Sequence, residues 1–190
     1  MKVLMLNGSH KPNGNTFSAL TEIGRQLDEE GIEYEIFQIG GKPIRDCIGC
    51  GQCSEAGCVF TDDEVNQFIA KAKEADGFIF GTPVYYAHPS GRILSFLDRA
   101  FYSAGSAFRF KPGAAVTAAR RGGSSAAYDC LNKYFGIAEM PVPGSSYWKL
   151  FMEEMLGRRN RILKECKQCE IFQKIWLGCL SVLNWENSMG

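Results

Sequence analysis

The stretch KVLMLNGSHKPNGNT, Lys2 to Thr16, decides how the rest of the chain is read. KVLMLN is a near-continuous apolar run that breaks at Gly8, the pattern of a parallel strand covered on both faces. SHKPNGNT is loop chemistry, and from Thr16 the apolar residues Phe17, Leu20, Ile23 and Leu27 recur at helical spacing until Gly31. The segment therefore predicts a strand, a polar glycine-bearing loop and a helix, in that order. Such a loop leads onto a helix N-terminus, where unpaired N–H groups and the positive end of the dipole favour a phosphate. Ser9, Asn15, Thr16 and Ser18 can add side-chain donors. The loop is neither GxGxxG nor a P-loop, since no Gly-Lys-Ser/Thr follows. The plain alternative is a βα turn in which Asn15 or Thr16 caps the helix.

The same alternation continues outward. Ile32 to Ile39 reads as a second strand. Asp62 and Asp63 start a helix with Val65, Phe68, Ile69 and Ala72 on its buried face, and Gly77 to Phe80 reads as a third strand. Ile93, Leu94, Phe96, Leu97 and Ala100 mark a third helix, Ala114 to Ala119 a fourth strand, and Ala126 to Phe135 a fourth helix. GIAEMPVPG, residues 136–144, is expected to hold a short fifth strand. Strands alternating with helices through short glycine-bearing loops predict an α/β doubly wound parallel sheet, in which ligands bind at the carboxyl ends of the strands.

A chain of 190 residues with 45% hydrophobic residues can bury one sizeable core. Its 21 Lys and Arg balance 21 Asp and Glu, so the broad attraction that nucleic acid or an anionic membrane exerts on a basic protein is missing. A small molecule or another protein is the expected partner. No apolar run approaches the roughly 20 residues that cross a bilayer, and Met1 leads into the first strand without a basic leader segment. A cytoplasmic location is expected.

Two further segments carry chemistry. Pro83, Val84, Tyr85 and Tyr86 follow the third strand and would bring backbone amides and aromatic faces to a ligand already anchored by its phosphate. Ala119, Arg120, Arg121, Gly122 and Gly123 follow the fourth, and the adjacent glycines argue for close backbone approach. The plain alternatives are core tyrosines and a solvated arginine pair. His10 and His88 are too few and too scattered for a metal site or a triad, and no paired nucleophile and base is visible. Of eight cysteines, four form Cys47-x2-Cys50-x2-Cys53-x4-Cys58, with Gly49, Gly51 and Gly57 permitting a tight wrap. All-thiolate ligation at short spacing suits a [4Fe–4S] cluster or tetrahedral zinc, and free or redox-paired thiols are the third option.

On NGSHKPNGNT, GTPVYYAHPSG with FLDR, ARRGG and PGSSYW, in that order, the chain resembles the flavodoxin-like NADPH-dependent FMN reductase family, which includes multimeric quinone reductases and iron–sulfur flavoproteins. The resemblance runs from Met1 to Trp148 and implies a flavodoxin-like five-stranded parallel sheet with helices on both faces. It also implies that the FMN phosphate is held by Ser9, Lys11, Asn15, Thr16, Phe17 and Ser18. Many relatives carry Arg at the position of Lys11, and Lys keeps the charge without the bidentate fork. The flavin ring would lie against Pro83 to Tyr86 and Ala119 to Gly123. Flavin N5 carries the chemistry, so no general acid or base is assigned. By resemblance to the iron–sulfur flavoproteins, Cys47, Cys50, Cys53 and Cys58 would ligate a cluster that relays electrons, although relatives treated as FMN-only reductases carry cysteines at similar places.

The resemblance leaves three functional readings. The first is an FMN-dependent oxidoreductase that takes a hydride from NAD(P)H and reduces free flavin, a quinone or a similar acceptor. The second is an electron carrier passing single electrons through FMN and a [4Fe–4S] cluster to a partner protein, and the third a binding module without redox chemistry. A homo-oligomer is expected, as relatives commonly bind flavin near a subunit interface.

Residues 149–190 depart from the family, which usually closes with an acidic stretch and a helix. Permissible codons read one base out of frame from Lys149 yield a stop-free sequence that looks like that ending. A frameshift in the gene or its recorded sequence is therefore expected, and Cys166, Cys169 and Cys179 would then carry no function. A genuine divergent helix, with Ile171, Ile175, Leu177, Leu180 and Leu183 as its apolar stripe, is the alternative. Sequencing the source gene decides between them.

Overall fold

The computed structural model describes residues 1–54, 56–144 and 150–152. In chain order the elements are β1 (Lys2–Asn7), α1 (Asn15–Glu29), β2 (Glu33–Gln38), α2 (Val65–Glu74), β3 (Gly77–Tyr85), β4 (His88–Pro89), α3 (Gly91–Ala104), β5 (Gly113–Ala119), α4 (Ser124–Ile137) and β6 (Leu150–Met152). A short 3-10 turn, Gly105–Ala107, follows α3.

Five strands run parallel in the order β2-β1-β3-β5-β6. From β1 the chain winds first to β2 on one side and then to β3 on the other, so the strand order reverses between β1 and β3. In open α/β sheets a ligand crevice forms at this point, outside the carboxyl ends of the strands.

The alternation of side chains along buried strands divides the core. Leu4, Leu6, Phe78 and Phe80 point to one face and pack with Val65, Phe68 and Ile69 of α2, Phe96 and Leu97 of α3, and Leu131 and Phe135 of α4. Val3, Met5, Ile79 and Val116 point to the other, against Ala19, Leu20, Ile23 and Leu27 of α1. Aromatic rings fill the first layer, and Phe68 meets Phe96 edge to face at 5.3 Å between centroids. Such pairs add about 0.5–1.5 kcal/mol beyond area burial. The strands carry no side-chain charge into either layer from Val3 to Leu6 or from Gly113 to Ala119, which is why they read so clearly in sequence.

Two expectations are corrected. Residues 136–144 hold no strand: α4 runs to Ile137, and the segment beyond it meets β5 through a backbone bond from Gly113 N–H to the Pro141 carbonyl at 3.0 Å. Pro141 and Pro143 have no N–H to donate, which disfavours a regular ladder there. The fifth parallel strand is β6, which pairs Leu150 to Met152 with Thr117 to Ala119. The third strand also runs further than Phe80, through Pro83 to Tyr85, and turns into an antiparallel hairpin with β4. The rest of the expected shifted-frame tail, including its three cysteines and its apolar stripe, lies outside the described residues.

Candidate functional site

Three loops meet at the carboxyl edge, after the adjacent strands β1, β3 and β5. A chain of buried hydrogen bonds ties the first two to the sheet. Asn7, at the end of β1, accepts from Ser9 N–H at 3.1 Å and donates to Gln38 Oε1 at 2.5 Å, while Gln38 donates to the Ser9 carbonyl at 2.7 Å. Ser90 Oγ donates to the Gly8 carbonyl at 3.0 Å, and its N–H reaches Thr82 Oγ1 at 3.1 Å. A side chain at Gly8 would strike Ile93 Cδ1 at 2.7 Å and the Gly81 carbonyl at 2.8 Å, so the loop passes where only hydrogen fits.

The polar loop then enters α1. Ser9 Oγ accepts from Lys11 N–H at 3.1 Å. The first intrahelical bond runs from Ser18 N–H to the Gly14 carbonyl at 3.0 Å, so the N–H groups of Asn15, Thr16 and Phe17 lie ahead of it. Gly14 supplies no side-chain cap, and the first turn carries no acidic residue. The expected alternative, in which Asn15 or Thr16 caps the helix, does not occur: both are already inside α1. Thr16 is buried, Asn15, Phe17 and Ser18 are half-buried, and Lys11 is exposed. These residues thus leave a helix terminus with neither a side-chain cap nor an acidic residue in its first turn, a setting that favours an anion.

The other two loops touch each other. Tyr86 and Ala87 form the two-residue turn of the β3–β4 hairpin, with φ of 51° and 60°. This is the left-handed pair a tight hairpin demands, filled here by residues that tolerate it poorly. Tyr86 is fully exposed and Tyr85 about half so, which removes the reading as core aromatics. Gly123, with φ of 83°, ends the Ala119–Gly123 loop, and a side chain on it would meet the Ala87 backbone at 2.6 Å. Arg120 and Arg121 are exposed beside them. Gly123 gives α4 no side-chain cap, and the Ser124 hydroxyl behind it is buried without a hydrogen-bond partner. An unsatisfied buried hydroxyl at a second bare helix N-terminus is what a polar ligand on this edge would complete.

Sequence reasoning missed Ser124, Thr82, Ser90, Asn7 and Gln38. Ser90 was discoverable as the residue before a helical apolar stripe; the others are joined only by contacts made in three dimensions.

The cysteine loop fills the connection between β2 and α2. Cys47, Cys50, Cys53 and Cys58 all line one small enclosed cavity, with Phe60, Tyr102 and Arg99 completing its wall. Gly49 and Gly51 adopt φ of 60° and 66°, turning the chain between successive cysteines. Cys58 is anchored through its backbone: Asn66 accepts from its N–H and donates to its carbonyl, each at 2.8 Å. Arg99 donates from Nε to Cys58 Sγ at 3.3 Å. Burial, and then the charges of Cys58, Cys50 and Cys47, push the Cys53 thiol above its ordinary range. The described cysteines are free thiols. Among the described residues no three His, Cys, Asp or Glu side chains converge on one ion position. Four thiolates at this short spacing are the donor set of a [4Fe–4S] cluster, which takes one thiolate on each of its four irons, and equally of tetrahedral zinc. Cys47 also borders a groove of about 540 Å³ walled by Phe101, Tyr102, Tyr134 and Ile137.

Residues 1–152 match the family model described as NADPH-dependent FMN reductase. The chain is 37% identical over 149 residues to an iron-sulfur flavoprotein of Methanocaldococcus jannaschii, covering 77% of each chain. It is 32% identical over 149 residues to an iron-sulfur flavoprotein of Archaeoglobus fulgidus, covering 75% of this chain and 72% of that protein. Among solved structures, RosB with bound 8-demethyl-8-formylriboflavin-5'-phosphate superposes with a TM-score of 0.72 at 14% identity, over 99% of this chain and 81% of that one. A flavodoxin from the domain Archaea gives 0.60 at 17% identity, over 92% and 99%. These structures establish the flavodoxin-like fold.

Proposed function

The chain belongs to the NADPH-dependent FMN reductase family, and from that premise we propose an FMN-dependent oxidoreductase that draws a hydride from NAD(P)H and passes electrons to free flavin, a quinone or a similar acceptor. The observation that carries this reading is the carboxyl edge of the sheet: three loops on adjacent strands, two bare helix N-termini and the unpartnered Ser124 hydroxyl. Ser9, Lys11, Asn15, Thr16, Phe17 and Ser18 would hold the phosphate. Pro83, Val84, Tyr85 and Tyr86 would form one wall for the ring, and Ala119, Arg120, Arg121, Gly122 and Gly123 the other. The bound flavin supplies the hydride acceptor and the onward electrons. The protein's own part would be to anchor and orient the group: the N-terminus of α1 would hold the phosphate, the β3–β4 hairpin would flank the ring, and Arg120 and Arg121 would favour added negative charge.

The shared cysteine cavity favours a second reading, an iron–sulfur flavoprotein. Cys47, Cys50, Cys53 and Cys58 would ligate a [4Fe–4S] cluster, which supplies one-electron transfer when bound. Several relatives carry that name. Nothing in the site favours the binding module without redox chemistry. Free thiols suit a reducing, cytoplasmic setting, where a homo-oligomer would operate. No helix among the described residues is long and apolar enough to cross a membrane.

Anaerobic turnover tests these readings. Steady NAD(P)H oxidation with a quinone or free FMN is the expected result for the reductase. Reduction only through a protein carrier such as ferredoxin would transfer the proposal to the second reading, and purified protein that binds no flavin would end both.

A further inference from the structure

The FLDR motif of α3 ends on Arg99, a residue the flavin reading does not use. Its side chain is 1% exposed, and every guanidinium nitrogen is engaged. Nη1 donates to the Asp63 carboxylate and to the Arg45 carbonyl, the latter at 3.4 Å; Nη2 donates to the Phe60 carbonyl at 3.2 Å. Nε donates to Cys58 Sγ at 3.3 Å, and the Phe60 ring lies 5.3 Å from the guanidinium carbon. One side chain thus fastens both ends of the cysteine loop, at Arg45 and at Phe60, and also borders the cavity the four cysteines share. A purely structural ion pair with Asp63 needs only the Nη groups. The Nε–H directed at sulfur is a separate feature, and donors to ligand sulfur favour the more negative, reduced form of a bound centre.

We propose that Arg99 is a positioning residue for the cysteine-bound redox centre: it fixes Cys58 at the cavity, and its Nε–H contact to sulfur raises the centre's reduction potential. The inference rests on the second reading above, in which the four cysteines hold a [4Fe–4S] cluster.

The test is an anaerobic potentiometric titration of the iron-reconstituted full chain, following the reduced centre by electron paramagnetic resonance, with iron, sulfide and FMN measured on the same samples. Arg99→Lys keeps a cation beside Asp63 but loses the planar fork. At a fixed potential its reduced-to-oxidised ratio is expected to fall about tenfold, equivalent to a midpoint about 59 mV lower, with FMN content unchanged. A second variant, Arg99→Gln with Asp63→Asn, removes both buried charges together and is expected to shift the ratio in the same direction. Whichever variant keeps the wild-type circular dichroism spectrum carries the test. Full iron in wild type and variant with an unmoved midpoint would overturn the role of Arg99 while leaving the cluster reading intact. Wild type that binds no iron would overturn both, and two variants that do not fold would reduce Arg99 to a fold residue.

Discussion

The flavin edge and the cysteine loop are held by different means. At the edge, positions are fixed by backbone: parallel strands end side by side, and Asn7, Gln38, Thr82 and Ser90 bond the loops to the sheet. In the cysteine loop, regular structure is nearly absent, and long-range side chains do the holding, Asn66 and Arg99 on Cys58 and the exposed Arg45–Asp62 pair at 2.8 Å across the loop's ends. Cys50 is exposed outright. The edge is held by strand ends and short polar side chains, whereas the loop is held by Asn66 and one buried cation. Metal-ligand bonds from the four cysteines would add to those contacts, as in small metal-stapled modules.

The largest effect that would sharpen this contrast is chemical. Cys50→Ser is expected to abolish iron retention after anaerobic reconstitution while leaving FMN content within about twofold of wild type; simultaneous loss of FMN would show that the two regions are not separable. Next comes Asp63→Ala, which leaves Arg99 buried and unpaired. Urea unfolding should show a loss of about 3–5 kcal/mol, the range for breaking a buried pair, and a loss under 1 kcal/mol would remove the buried-cation account. On the flavin side, Gly123→Val places a branched side chain at a left-handed position against Ala87. It should cost about 1–3 kcal/mol and weaken FMN binding measured by flavin fluorescence quenching, with iron content unchanged.

The smallest effect lies away from both sites. Lys71, hydrogen-bonded at 2.8 Å, holds the Glu35 carboxylate below its ordinary range despite partial burial, and Lys2 at 3.2 Å adds to it. Stability from this pairing is present above the ordinary glutamate range and is lost as pH falls through the lowered native value. Both partners are partly exposed, so Glu35→Gln should change stability by less than about 1 kcal/mol at neutral pH. Denaturation curves for the two proteins should converge in acid.

What the sequence revealed follows the same division. β1, α1, α2, α3 and β5 were legible because buried faces impose periodic apolar patterns, and the loops between them could be placed at the carboxyl edge from strand order alone. The hairpin after β3 was hidden because Pro83 looks like a terminator and Tyr86-Ala87 lacks the Asn or Gly usual in such a turn. The fifth strand was misplaced because the apolar composition of 136–144 conceals two prolines that cannot donate. Arg99 sits on the same helical stripe as Phe96, and a charge on that stripe was a readable sign of a buried partner, but its reach to Cys58 and Asp63 depends on chain folding across 41 and 36 positions.

An anaerobic absorption spectrum of freshly purified protein, with iron and acid-labile sulfide assayed on the same sample, tests the account most directly. It predicts flavin absorption at about one FMN per chain; about four irons and four sulfides beside it are the result the iron–sulfur reading predicts. Flavin without iron would leave the reductase standing and contradict the ligand role given to Cys47, Cys50, Cys53 and Cys58, and protein that takes up neither would contradict the functional reading of both regions.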